Sequence, residues 1–292
     1  MVIYRWNSVW FRRIFFSFLT LNTAFSPSLT LSQENQKPQI VSLDYCADQY
    51  VLALADRDQI KALSMDADQL HSFYRDRAAG LTKFHSTMEE VINFHPDVAV
   101  QSWRVTARVR ELVNRIGTIL IVPPYGKGAE TVIENTRLAG KAFAQEKRAK
   151  ALIADYHTRL KKLQDAPKSR LRAAYVTPSG FTAGLGTFVD EMIGLAGFTS
   201  YAASHNLKGW QRLSLEYLVM DPPDIFIASF FDTSLATQSS WSISRHGRLY
   251  KMLKDIPTIF LPGRYLSCNS LFLVDAAERI RREAIEKEIN KK

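Results

Sequence analysis

The sequence is short of the patterns that announce catalysis. It has no G-x-x-x-x-G-K-[ST] and no G-x-G-x-x-G, so nothing marks a phosphate-cradling loop. G-x-S-x-G, H-E-x-x-H and C-x-x-C are missing too, which removes the nucleophile elbow, the two-histidine zinc helix and the redox dithiol. AGLGTF at 183–188 has two glycines, lacks a third, and follows no first βα turn. No Ser/His/Asp or Cys/His set can be assembled. These gaps weigh against an enzyme. Low-complexity tracts and periods of 20 to 50 residues are absent, which excludes a solenoid.

Acidic residues are scarce at the N-terminus. The first 33 residues carry Arg5, Arg12 and Arg13 and no Asp or Glu. An apolar run of about 12 residues follows, from Ile14 to Phe25, broken only by Ser17, Thr20, Asn22 and Thr23. A spanning helix needs about 20 residues, so the layout reads as a secretory signal over residues 1–32. Ser26, Ser28 and Ser32 are the possible cut sites, and an amphipathic or membrane anchor is the alternative. RRIFF faintly resembles a twin-Arg signal, with Phe11 where Ser or Thr is usual. No Cys closes the apolar run, which argues against a lipid anchor. The whole chain carries a formal +9. Removing residues 1–32 leaves 35 basic against 29 acidic side chains, or +6. The basic residues interleave with acids, as in KAFAQEKRAKALIADYHTRLKK, so no nucleic-acid partner is expected.

What is present reads as globular: 46% hydrophobic and 23% charged residues, enough for about two domains. Strand-like runs at 39–43, 60–64, 97–103 and 118–124 alternate with helical periods at 47–55, 87–95 and 104–117. The second half repeats the alternation: strands at 172–178, 224–230 and 258–263, and helices at 187–197, 214–221, 244–255 and from about 270. This predicts an α/β fold with parallel sheets. Between the halves, residues 128–165 hold no Pro, and their only internal Gly is Gly140. As one helix they would extend about 57 Å. The expected organisation is an N-terminal lobe at 39–125, a connecting long helix at 126–166 and a C-terminal lobe at 171–292.

One sentence is written twice. MEEVINFHPDVAV (88–100) and LEYLVMDPPDIFI (215–227) share apolar, Glu, seven residues, Asp, then a strand, with Pro96 and Pro223 directly before the Asp. IVSLDYCADQYVLALADRDQIKALS, STMEEVINFHPDVAV and RLSLEYLVMDPPDIFIA resemble segments of the ABC-importer substrate-binding proteins for cobalamin, ferric siderophores and haem. The resemblance covers about residues 39–290. It implies two Rossmann-like lobes with parallel sheets, joined by one long rigid α-helix, with ligand in the cleft. It implies a monomeric periplasmic protein without a catalytic step or cofactor of its own, whose ligand is a cobalt or iron chelate. It further implies a partner, the permease dimer of the inner membrane, whose Arg residues receive Glu89 and Glu216. Thr87 and Ser214 read as N-caps, which puts both Glu at the second helical position. The helix dipole favours an acid there, so capping alone is the plainer reading. A capping box, however, uses the third position, here Glu90 and Tyr217.

In open parallel sheets, ligands sit beyond the carboxyl ends of the strands. Those ends offer Asp44, Tyr45, Trp103, Arg104 and Tyr125 in the first half, and Phe181, Thr182, Phe231 and Arg264 in the second. Trp210 and Trp241 fall in loops on the same side. Aromatics there suit a large, flat, partly apolar ligand, and Arg104 or Arg264 could pair with its carboxylates or phosphate. Tyr45, Tyr125 and Tyr201 could ligate haem iron. Tyr-Cys follows the first strand where the family has a Pro/Ser-rich turn, which leaves the ligand open. Cys46 and Cys268 read either as a disulfide from the start of one lobe to the end of the other or as two separate thiols. His71, His85 and His95, with Asp66 and Asp68, are the alternative: a zinc or manganese carrier, or an enzyme, on a similar scaffold, although His95 also reads as part of the helix-ending HPD turn.

Overall fold

Ile40 and Val41 are neighbours in the first strand, and both are fully buried, in two different cores. A strand sends successive side chains to opposite faces, and here both faces are covered. The computed structural model describes residues 37–103, 105–126, 128–177, 179–230, 247–287 and 289. The expected signal at 1–32 lies outside them.

The first lobe runs β1 (Ile40–Ser42), α1 (Tyr45–Leu54), β2 (Ile60–Ser64), α2 (Arg75–Ala78), β3 (Lys83–Phe84), α3 (Met88–Phe94), β4 (Val98–Val100), α4 (Ala107–Arg115) and β5 (Ile119–Ile121). Its five strands lie in the order β3-β2-β1-β4-β5, all parallel. Two helices follow, α5 (Ala129–Ala142) and α6 (Glu146–Asp165). The second lobe runs β6 (Arg172–Val176), β7 (Phe181–Ala183), α7 (Phe188–Leu195), β8 (Thr199–Ser200), α8 (Tyr201–Ser204), β9 (Trp210–Arg212), α9 (Leu215–Met220), β10 (Ile225–Phe230), α10 (Gly247–Asp255), β11 (Thr258–Pro262) and α11 (Leu273–Glu286). Its main sheet, β11-β10-β6-β8, is also all parallel. An antiparallel pair, β7 with β9, stands beside it.

Four strands of the two sheets correspond: β6 stands where β1 does, β8 where β2 does, and β10 and β11 in the places of β4 and β5, while β3 has no counterpart among the described strands. Ile225 and Ile227 of β10 join the same core as Ile40, while Phe226 and Ala228 face the outer core of their own lobe. That common core takes in α1, α5, α6, α7 and α11, so the lobes share an interior.

The single helix expected over 128–165 is two. The chain breaks at Phe143–Gln145, with Ala144 at φ 53°. Tertiary contacts hold the break. Gln145 donates to Asp56 (2.7 Å) and Gln59 (2.6 Å), and Gln59 donates to the Phe143 carbonyl at 2.9 Å. A Cβ on Gly140 would lie 2.3 Å from the Ala149 Cβ, so glycine is what lets the two helices touch. The connecting strut is therefore α6, 20 residues and about 30 Å long. Arg159 on α6 pairs with Asp275 (2.9 Å) and Glu278 (2.6 Å) of α11, fastening the strut to the second lobe.

Candidate functional site

The order of strands in each sheet reverses between β1 and β4, and between β6 and β10. Asp44 sits at the first of these points. Its carboxylate caps α1, accepting the Cys46 and Ala47 amides at 3.1 and 2.9 Å. The second oxygen accepts Ser102 N–H at 2.6 Å and Trp103 N–H at 3.4 Å. Burial pushes the Asp44 pKa up, against the pull of these four amides. Asp44 was expected to face a ligand. Both its oxygens are instead spent on backbone, where they tie the end of β1 to the end of β4 and so set Tyr45 beside Trp103.

The Tyr45 ring meets Trp103 edge-on at 5.2 Å, and meets His71 in the same way at 5.2 Å. Burial, then the nearby Tyr125, Asp44 and Asp66, push the Tyr45 phenol up to about 12. Tyr125 meets Phe188 of α7 at 5.8 Å, and Trp210 lies against the same Phe188 ring at 6.3 Å. Trp210 in turn packs on Tyr175 at 6.0 Å. The row Trp103, Tyr45, Tyr125, Trp210 thus crosses from one lobe to the other. Trp103, Tyr125 and Trp210 are 44%, 46% and 42% exposed.

The β7/β9 pair explains why Trp210 belongs here. Ala183 pairs with Trp210 and Phe181 with Arg212, so all four share one face of the hairpin. The Arg212 guanidinium lies over the Phe181 ring at 5.4 Å. Thr182 takes the opposite face and is buried at 1%, so it belongs to the core and not to the cleft. Tyr201 is likewise fully buried, its hydroxyl donating to the Asp221 carbonyl at 2.8 Å, and cannot reach a chelated metal. Arg264 lies 5.5 Å from the Tyr265 ring. Arg104, Phe231 and Trp241 lie outside the described residues. Among the described residues no three His, Cys, Asp or Glu side chains group as a metal site; His71 has only Asp66, 4.0 Å away.

Sequence reasoning missed Arg212, whose role depends on a non-local strand pairing. It also missed Gln101 and Ser102 at the end of β4, which hold buried polar atoms without a hydrogen-bond partner. The signal was available: both follow β4 immediately, as ligand-facing residues of a parallel strand should.

Away from the aromatic row, α3 and α9 present the two Glu. Thr87 caps α3, and Glu90 completes the box by accepting Thr87 N–H at 3.1 Å. Ser214 caps α9, accepting Glu216 N–H at 3.1 Å. Glu89 and Glu216 take the second position of their helices, and both are exposed. Neither carboxylate makes a hydrogen bond or ion pair among the described residues.

The family model for periplasmic binding proteins matches residues 40–234, two thirds of the sequence. The chain belongs to the periplasmic binding protein family. A cobalamin-binding protein of Halobacterium salinarum is 25% identical over 210 residues, covering 70% of this chain and 56% of the relative. This periplasmic binding protein thus spans little more than half the length of that relative. Among solved structures, a periplasmic haem-binding protein of Vibrio cholerae superposes with a TM-score of 0.70 at 17% identity, over 84% of this chain and 98% of the other. A periplasmic vitamin B12-binding protein of Vibrio cholerae gives 0.66 at 19% identity, over 88% and 99%. These likenesses show the two-lobed fold.

Proposed function

We propose that this protein captures a cobalt or iron chelate between its lobes and hands it to an ABC-importer permease dimer in the inner membrane. The observation that carries the reading is the aromatic row Trp103, Tyr45, Tyr125 and Trp210, drawn from both lobes, in which Trp103, Tyr125 and Trp210 are about half exposed. Rings presented in that way offer broad flat contact to a corrin, porphyrin or siderophore. Arg212, Gln101 and Ser102 supply polar contacts around them. The cobalamin-binding relative favours a corrin. Among the described residues around the row none is prepared as a nucleophile or general base, and the reading is binding without turnover. Glu89 and Glu216, one per lobe and without an ion pair among the described residues, suit a two-subunit permease that offers a basic patch to each. The location that goes with this role is the periplasm, and the working form is a monomer.

The test is titration of the purified chain with cyanocobalamin, haemin and a ferric hydroxamate, followed by absorbance and tryptophan fluorescence. Saturation by one of them at sub-micromolar concentration is the expected result. No saturation by any, with zinc bound through His71 and His85 instead, would overturn the reading.

A further inference from the structure

Five residues of the second lobe reach into the first. Leu266–Ser270, between β11 and α11, are all buried or nearly so. Cys268 forms a disulfide with Cys46, the residue after Tyr45. The Asn269 carbonyl accepts the Tyr50 hydroxyl at 2.8 Å. The Asn269 amide group donates to the Tyr125 and Gly128 carbonyls, both at 3.3 Å. Asn135 closes the network, donating to the Tyr50 hydroxyl (3.1 Å) and to the Pro124 carbonyl (2.8 Å). Next to the disulfide, Phe272 stacks on Phe73 at 4.4 Å.

We infer that the 266–270 loop is a positioning clamp for the cleft: Cys268 holds Tyr45 through its neighbour Cys46, and Asn269 holds Tyr125 through its carbonyl. Two of the four aromatics thus depend on one segment of the opposite lobe. The clamp is partly covalent, so cleft geometry depends on the oxidation state of one bond. Dithiothreitol would open it by giving two electrons and two protons, leaving two thiols and the cyclic disulfide of the reagent. The α6 strut and the shared core still join the lobes after reduction, so the effect is local slackening and not separation.

The test compares the oxidised chain with Cys46→Ser/Cys268→Ser and with Asn269→Ala, which keeps the disulfide. Backbone hydrogen exchange without ligand is the first readout. The clamp requires at least tenfold faster exchange at 45–48 and 126–130 in the double variant, with the outer strands β3 and β11 unchanged. Asn269→Ala should loosen 126–130 alone. Unchanged exchange at both segments, or equal acceleration everywhere, overturns the inference. The second readout, the affinity for cyanocobalamin and haemin, rests on the proposed function and should fall about tenfold in the double variant. If neither compound binds the unmodified chain, that proposal fails and the exchange data still decide the clamp.

Discussion

Asp97 and Gln39 exchange two hydrogen bonds. The Asp97 carboxylate accepts the Gln39 amide at 2.7 Å, and the Asp97 amide donates to the Gln39 carbonyl at 2.9 Å. Asp224 and Arg172 do the same in the second lobe, at 2.7 and 3.0 Å. In each lobe this brace locks the entry of the first strand, β1 or β6, to the entry of its neighbour, β4 or β10. The Pro before each Asp fixes the preceding φ and has no N–H to compete. The repeated Pro-Asp is therefore a structural device.

Asp97→Ala and Asp224→Ala should each cost about 1 kcal/mol, the worth of one such bond. For a chain of this size that is a fall in Tm of about 2–4 °C. The sites stand in different lobes, so the double variant should show the sum. Calorimetry on the four proteins checks this, and a double variant no worse than either single would reject two independent braces.

The other half of the echo should behave differently. Glu89→Ala with Glu216→Ala removes charge from two exposed positions whose carboxylates make no hydrogen bond or ion pair among the described residues. Stability should fall by no more than about 1 kcal/mol per site, the helix-dipole share. Chelate affinity should be unchanged, while uptake by cells carrying the cognate permease should drop at least tenfold. Parallel loss of affinity and uptake would place the two Glu in ligand binding instead of docking.

Much of this was legible in the residues. Buried parallel strands are short β-branched runs, and IKALS at 60–64 is β2 to the residue. The caps Thr87 and Ser214 were readable because capping is local chemistry. The β7/β9 pairing was not, since its partners stand 27 to 31 residues apart and pairing is decided by tertiary packing. The break at Ala144 was hidden for a related reason: Phe143, Ala144 and Gln145 all tolerate a helix, and contacts with Asp56 and Gln59 override them. Strand-end position alone misread Thr182, because alternation decides which of two neighbours meets solvent.

Trp103→Ala and Trp210→Ala test the row itself. Both rings are about half exposed, so truncation should leave the unfolding temperature nearly unchanged. An aromatic contact worth about 0.5–1.5 kcal/mol beyond area burial corresponds to up to about a tenfold loss of affinity per ring. Isothermal titration with the bound chelate measures it. Full affinity in both variants would remove the row from the site.

Gly128 is the first cap residue of α5, at φ 137°, and the Glu191 carboxylate of α7 lies against it, accepting Ala129 N–H at 3.1 Å. A Cβ at Gly128 would fall 1.6 Å from a Glu191 oxygen. Gly128→Ala should therefore destabilise by more than the roughly 1–3 kcal/mol of backbone strain alone. Restoring part of that loss with Glu191→Ala in the same chain would identify the clash, and no recovery would leave strain as the whole effect.

Asp48 contributes a pH dependence of its own to the stability curve. It is completely buried in α1, and its carboxyl meets Ser64 N–H at 3.1 Å and the Ser64 hydroxyl at 2.6 Å. Burial outweighs these bonds and lifts its pKa to about 7. In the unfolded chain the group titrates near 3.9, roughly the free aspartate value. Between the two values the folded chain holds a proton that the unfolded chain has released. Stability must therefore fall as pH rises through that window, and the penalty is complete above about 7. Asp48→Asn keeps the shape and one donor for the Ser64 hydroxyl but carries no charge to bury. Its unfolding temperature should exceed that of the unmodified chain by several degrees at pH 8, and the gap should close towards pH 4. Other titrating groups are common to both proteins and cancel in the difference. A gap that stays constant from pH 4 to pH 8 would mean that Asp48 keeps the same proton whether the chain is folded or not, and that the Ser64 bonds balance its burial.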